Sequence, residues 1–297
     1  MQVHFIGLGE INMFNLAIAL HKRGETVTGS EEKFDESLKS IMQEQGLVFN
    51  EAGWFSDKIN DQLDAVVLGA TVKKDNPELL KAQELGLRLV SYPELLFELN
   101  KYKTRVVVAG SQNKTRVTSM ILHVLEYNEV EVDYALSSQK GIHLSEENDF
   151  ILIEGCDTPS SVIDATPQFH KYQPNIALLS DIELKEESSQ TDHETYSEQY
   201  GIFVDSIVKG GSITYNEEDA EVKKRVESSE NPIRKFPYGI PEYQEADGEV
   251  FLDTPDGEMP LEIVEINDLR NMAGAKWICQ QMGVDEVEFY EAMATYR

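Results

Sequence analysis

The chain has 297 residues, 41% of them hydrophobic, enough for one large α/β domain or for two smaller ones with their own cores. Its 54 acidic residues against 26 basic give a net charge of −28, a field that repels nucleic acid and anionic membrane and so disfavours either as a partner. Cys156 and Cys279 lack Cys-x-x-Cys spacing, the opening MQVHFIGLGEIN has no basic leader, and no window approaches the roughly 20 apolar residues of a membrane span, so a cytoplasmic protein is expected.

In chain order, VHFIGL reads as a strand, followed by a helix from about Ile11, a strand at TVTGS, a helix through ESLKSIMQEQG, a strand at AVVLGA, a helix at PELLKAQELG, a strand at LRLVS and a helix at PELLFELNK. Strands separated by amphipathic helices predict βαβ units on a parallel sheet, so residues 1–101 form one Rossmann-like unit. The rhythm restarts after KYKT with the strand RVVVAG, its loop and helix, and apolar runs at FILIEG and NIALLS, giving a second α/β domain over 102–297. HETYSEQYGIFVDSIV predicts an amphipathic helix, SITYN a strand and EEDAEVKKRVESS a charged surface helix. Two turn signals, Ala246-Asp247-Gly248 and Pro255-Asp256-Gly257, predict a small antiparallel meander over 242–265, and the carboxy-terminal stretch reads as two helices separated at Gly283.

Gly7-Leu8-Gly9 follows a strand and opens a helix, where backbone N–H groups and the helix dipole can hold a phosphate, and Glu31 stands where a dinucleotide fold keeps its ribose-binding acid. Asn12 replaces the third glycine. Glu10 either points inward, where a unit charge at about 4 Å and an effective dielectric of about 20 would repel a phosphate by roughly 4 kcal/mol, or outward as a first-turn helix acid. The loop is thus either a phosphate site or a tight βα turn. An NAD-linked oxidoreductase built on this unit is the reading it would support.

The second loop, VVVAGSQNKTRVTSM (106–120), sets Gly110, Lys114 and Thr115 in strand-loop-helix context. A lysine there neutralises phosphate oxygens and a threonine hydroxyl ligates Mg²⁺. These residues resemble the phosphate loop of the Mur ligases of peptidoglycan synthesis, G-T/S-H-G-K-T-T. IGLGEINMFNLA, VTGSE and DNPELLKAQELG resemble the same family's first loop, its G-S-D motif and its D-N-P-E helix, while FHKYQPNIALLSDIE and AGAKWICQQMGV are most similar to its murein-peptide recycling branch.

The resemblance implies a nucleotide-sugar domain binding a UDP-N-acetylmuramate-type ligand through Gly7, Gly9, Ser30, Glu31 and Asn76, then a central domain binding Mg-ATP through Gly110, Ser111, Asn113, Lys114, Thr115 and Asn267. It implies ATP-dependent joining of that sugar to L-alanine or a peptide. The family's third, carboxy-terminal domain would begin where MATYR stands and is expected to be absent from this sequence.

The implied chemistry sits on altered residues. In the phosphate loop the family's His is Gln112, its second Gly is Asn113 and its last Thr is Arg116, which adds charge. The family's metal-binding glutamate motif reads Gly155-Cys156-Asp157, leaving Asp157, with Lys114, as the catalytic candidate. Thr115, Asp157 and Glu186 are the candidate, degenerate, metal ligands, and of the adenine motif only Asn267 matches. Phosphoryl transfer depends on placed charge and metal, so these departures together predict an impaired ligase or a pseudo-enzyme that binds a nucleotide, a cell-wall precursor or a protein partner. Cys156 reads as a rim thiol or a small buried hydrophobe. His4, His21, His123, His143 and His170 lack metal-ligand spacing and read as core or surface residues.

Overall fold

The apolar run at the amino terminus forms β1 (Gln2–Ile6), buried from Val3 onward as a strand covered on both faces must be. This computed structural model describes residues 1–34, 36–47, 52–137, 140–183, 193–246, 249–254, 257–261 and 265–296. After β1 come α1 (Ile11–Lys22), β2 (Thr26–Ser30), α2 (Glu36–Glu44), β3 (Ala65–Leu68), α3 (Pro77–Glu84), β4 (Leu89–Ser91) and α4 (Tyr92–Asn100). The four strands pair in parallel in the order β2-β1-β3-β4. Phe14, Leu16 and Leu20 of α1 are buried, while Ile6, Val66, Leu68, Val72 and Leu79 form one cluster backed by Trp54.

The chain continues with β5 (Thr104–Ala109), α5 (Lys114–Tyr127), the antiparallel pair β6 (Asp133–Ala135) and β7 (Ile142–His143), β8 (Phe150–Gly155), and a second antiparallel pair, β9 (Pro159–Ser161) and β10 (Asp164–Pro167). Then follow β11 (Ile176–Leu179), α6 (His193–Ser206), β12 (Ser212–Asn216), α7 (Ala220–Ser228), β13 (Arg234–Tyr238), β14 (Tyr243–Ala246), β15 (Glu249–Thr254), β16 (Gly257–Leu261), α8 (Ile266–Gln281) and α9 (Glu286–Met293).

Two compact units result. The first comprises 1–102, 133–147 and 157–172, and the second 103–132, 148–156 and 173–297. Within the second, β13-β12-β11-β5-β8 run parallel. Val106, Val107, Val108 and Ala109 are fully buried, so the strand that feeds the phosphate-type loop is the rigid centre of this sheet. Strands β14, β15 and β16 pair antiparallel as the predicted meander, whose turn residues at 247–248 and 255–256 lie outside the described residues. The architecture is the α/β fold the sequence predicts. Among the described residues no helix is long and apolar enough to cross a membrane.

One polar pair lies inside the first unit. His4 and Glu78 are both fully buried, with His4 Nε2 3.2 Å from Glu78 Oε2. The other ring nitrogen is 2.8 Å from the Thr28 hydroxyl, and Glu78 Oε1 accepts the Phe55 N–H at 2.6 Å. The chain Thr28-His4-Glu78-Phe55 thus ties β2, β1, the start of α3 and the loop before β3 together. Removing one member of a buried pair leaves its partner desolvated and uncompensated. His4→Ala is expected to lower stability by about 3–5 kcal/mol in urea unfolding followed by circular dichroism. A loss under about 1 kcal/mol would mean that the pair is worth no more than a surface contact.

Candidate functional site

In the second unit β11 and β5 are parallel neighbours in the register Leu179 to Ala109, so Ser180 and Asp181 leave one strand end beside the point where Gly110 and Ser111 leave the other. Gly110 is required there: an added Cβ would lie 2.0 Å from Ser180 Oγ, and its φ of +155° sits at the edge of the region that side chains avoid.

The loop wraps the Asp181 carboxylate. Oδ2 accepts the backbone N–H groups of Ser111 at 3.0 Å and Gln112 at 2.9 Å, while Oδ1 accepts the Asn113 N–H at 3.1 Å and its side-chain amide at 3.2 Å. The Ser180 hydroxyl donates to Oδ1 at 2.6 Å. Successive amides converging on one point ahead of a helix make an anion-binding nest, and here a carboxylate of the same chain fills it. Asp181 is only 8% exposed, so this anion belongs to the fold's interior. Burial first, and then the Asp181 charge, hold the buried Tyr238 phenol above its ordinary range.

The other loop residues are engaged nearby. The Lys114 ammonium turns back to the carbonyls of Gly110 at 3.1 Å and Ser111 at 3.5 Å. The Ser111 hydroxyl accepts the Glu183 N–H at 2.7 Å and lies 3.3 Å from the Tyr196 hydroxyl, while Gln112 Nε2 donates to Glu183 Oε2. The Thr115 hydroxyl donates to Oε1 of the buried Glu154 at 2.7 Å.

Arg116 adds no free charge to the loop. Its guanidinium makes a two-pronged pair with Asp268 of α8 at 2.9 and 2.7 Å and lies 4.8 Å from the centre of the Tyr296 ring. It works as a strut between α5 and the carboxy-terminal helices. Asn267, the one match to the adenine motif, accepts from Arg270 at 2.9 Å, whereas Asn271, one turn further along α8, reaches Asn113 Oδ1 at 3.4 Å. Asp157 is half-buried and belongs to the first unit, whereas Lys114 belongs to the second. Glu186 lies outside the described residues.

The first glycine loop follows the same rule. The Gly7 and Leu8 N–H groups donate to the Ser30 carbonyl at 3.0 and 3.3 Å, and the Gly9 N–H donates to Glu31 Oε2 at 2.6 Å. A Cβ on Gly9 would stand 2.8 Å from that oxygen. Glu31 Oε1 accepts the Glu32 N–H at 2.8 Å. Glu10 is tied to the loop after β3, its Oε1 accepting the N–H and hydroxyl of Thr71 at 2.8 and 2.9 Å. Asn76 caps α3, its side-chain oxygen accepting from Glu78 and Leu79, and the Ser30 hydroxyl accepts from Lys58 at 3.4 Å. Beside this loop lies a cavity of about 300 Å³ lined by Gly7, Glu31, Glu32, Trp54, Thr71, Lys73, Asp75 and Asn76, three carboxylates against one ammonium.

An ATP triphosphate would need the very amides that hold Asp181, and a magnesium ion would need the Thr115 hydroxyl now given to Glu154. As arranged, these residues do not fit Mg-ATP. Among the described residues no group of three or more His, Cys, Asp or Glu side chains is placed to hold a metal ion. Asp181, Glu154 and Asn271 escape a motif reading, but a carboxylate at or just past the end of a strand flanking β5 is the signal that marks the first two.

Residues 2–104 match the model of the Mur ligase family, catalytic domain. The chain is 27% identical over 306 residues to the UDP-N-acetylmuramate–L-alanine ligase of Carboxydothermus hydrogenoformans, covering 96% of this chain and 62% of that protein. It is 29% identical over 243 residues to the same-named ligase of Streptomyces avermitilis, covering 80% and 50%. It therefore spans about half to two thirds of the length of these relatives. In fold it is similar to the solved UDP-N-acetylmuramate:L-alanyl-gamma-D-glutamyl-meso-diaminopimelate ligase of Neisseria meningitides, with a TM-score of 0.87 at 20% identity over 100% of this chain and 98% of that one. The UDP-N-acetylmuramate-alanine ligase of Thermotoga maritima gives 0.76 at 18% identity, over 100% and 69%. On these findings residues 2–104 match the Mur ligase family, and the sequence relatives the chain resembles are UDP-N-acetylmuramate–L-alanine ligases.

Proposed function

We propose that this chain is a Mur-ligase-type protein of peptidoglycan synthesis or recycling that binds a UDP-N-acetylmuramate-type nucleotide sugar and does not turn over ATP. The observation that carries the reading is the Asp181 carboxylate held by the amides of residues 111–113. A phosphate brought to about 4 Å from that carboxylate at an effective dielectric of about 20 meets roughly 4 kcal/mol of repulsion per unit charge, about a thousandfold in affinity. Phosphoryl transfer has no substitute for a seated triphosphate and its metal, so ligation is lost with binding. The first-unit cavity beside Gly7 supports a role for the sugar nucleotide, within the volume range of small-ligand sites, and leaves the protein a binder of a cell-wall precursor.

Thermal unfolding tests both halves of this reading. Millimolar UDP-N-acetylmuramate is expected to raise the midpoint, since a ligand at a hundred times its dissociation constant stabilises by about 2.7 kcal/mol. Millimolar Mg-ATP is expected to leave it unchanged, with the same result for Lys114→Ala. A Mg-ATP shift that disappears in Lys114→Ala would show a live nucleotide site and overturn the reading.

Catalysis is checked separately, by inorganic phosphate release from Mg-ATP in the presence of UDP-N-acetylmuramate and L-alanine. No release above the buffer rate is expected. Release that depends on both acceptor and amine would identify a working ligase.

A further inference from the structure

We infer that Asp181 is a built-in occupant of the phosphate cradle, an intramolecular carboxylate that by itself closes a loop still shaped for polyphosphate. This rests on the reading above that the wild-type loop does not bind Mg-ATP, and it names the cause.

Three features of the loop are those a bound phosphate would use. Gly110 lets the backbone pass close to the neighbouring strand end, where any side chain would collide with Ser180. The N–H groups of Ser111, Gln112 and Asn113 already converge on one pair of anionic oxygens. Lys114 rests on the loop's own carbonyls, and no carboxylate among the described residues forms an ion pair with it, so its charge is available at the cradle's edge. What differs from an open cradle is the identity of the anion.

The blocking group is a side chain on an anchored backbone. Asn216 Nδ2 donates to the Ser180 carbonyl at 3.0 Å and the Ile182 N–H donates to Asp219 Oδ2 at 3.1 Å, which fixes the chain on both sides of Asp181. Rotation of the Asp181 side chain therefore frees the Gln112 and Asn113 N–H groups, while the Ser111 N–H also donates to the Asp181 main-chain carbonyl at 3.2 Å. A tethered anion presents a high effective concentration to its nest, so a free polyphosphate competes at a disadvantage until the tethered charge is removed. Asp181→Asn removes the charge and keeps only one of the two acceptor oxygens, setting an N–H₂ donor against amide donors at the other, which weakens the occupant's hold with almost no change in volume.

The test is calorimetric titration of inorganic tripolyphosphate into wild type, Asp181→Asn and Asp181→Ser, with circular dichroism and the thermal midpoint confirming the fold of each. The serine variant is short enough to vacate the nest should the asparagine one fold poorly. Wild type is expected to give no saturable heat, and either variant is expected to bind at least tenfold more tightly. Adding Lys114→Ala to the variant is expected to abolish the gain, which localises binding to this cradle. Folded Asp181 variants that bind no better than a non-binding wild type would overturn the inference and leave the proposed function standing. A wild type that binds tripolyphosphate as tightly as the variants would overturn both.

Discussion

The structure of the second unit turns on one carboxylate and the three amides that enclose it. A strand-loop-helix crossover leaves the N–H groups of its loop, here those of Ser111, Gln112 and the N-cap Asn113 of α5, outside the strand and helix ladders, and beside a strand as buried as β5 they need acceptors. Asp181, delivered by the parallel neighbour β11, supplies the acceptor within the fold itself. The same contact ties the ends of two adjacent strands to the start of α5, so the loop is held in shape without a ligand. A phosphate cradle that depends on ligand for its acceptors is open when empty; this one is satisfied when empty.

The first unit reaches a similar state by a related route. The Gly9 N–H at the start of α1 meets Glu31 from the end of β2, and the adjoining Gly7 and Leu8 amides meet the Ser30 carbonyl. In both units an acid that leaves the carboxyl end of a neighbouring parallel strand takes up loop amides, Asp181 those of residues 111–113 and Glu31 that of Gly9. The two loops differ in what is left beside them. The first keeps a cavity with an aromatic wall at Trp54, and in the second the hydroxyls of Ser111, Tyr196 and Tyr200 crowd together, with Tyr196 and Tyr200 3.0 Å apart.

Much of this was legible in the sequence, because parallel strands covered on both faces are written as uninterrupted β-branched runs and the turns that follow them as glycine loops. Gly110, Lys114 and Thr115 stand out for that reason. The partners of these residues do not, because the fold rather than the local pattern brings them close. Asp181 lies 70 residues from Ser111, and Asp268 lies 152 residues from Arg116. Arg116 shows the consequence: beside a phosphate loop it reads as an added positive charge, yet its guanidinium is paired with Asp268 and lies over the Tyr296 ring. Glu10 was legible as a conflict with phosphate and not as a bridge to Thr71, since the bridge depends on the loop after β3 folding back over α1's first turn.

The net charge of −28 and the local chemistry act in one direction. A long-range negative field lowers the local concentration of a polyphosphate before it reaches either loop, and salt screens that field over a Debye length of about 8 Å at physiological ionic strength. Asp181 acts inside that distance, on the donors themselves, where screening is weak because the group is buried. The field therefore tunes how often a polyphosphate arrives, while Asp181 decides whether it can be seated in the second unit's loop. Because that second control is one side chain on anchored backbone, the distance between a closed cradle and an open one in the second unit is one substitution rather than a rebuilt loop.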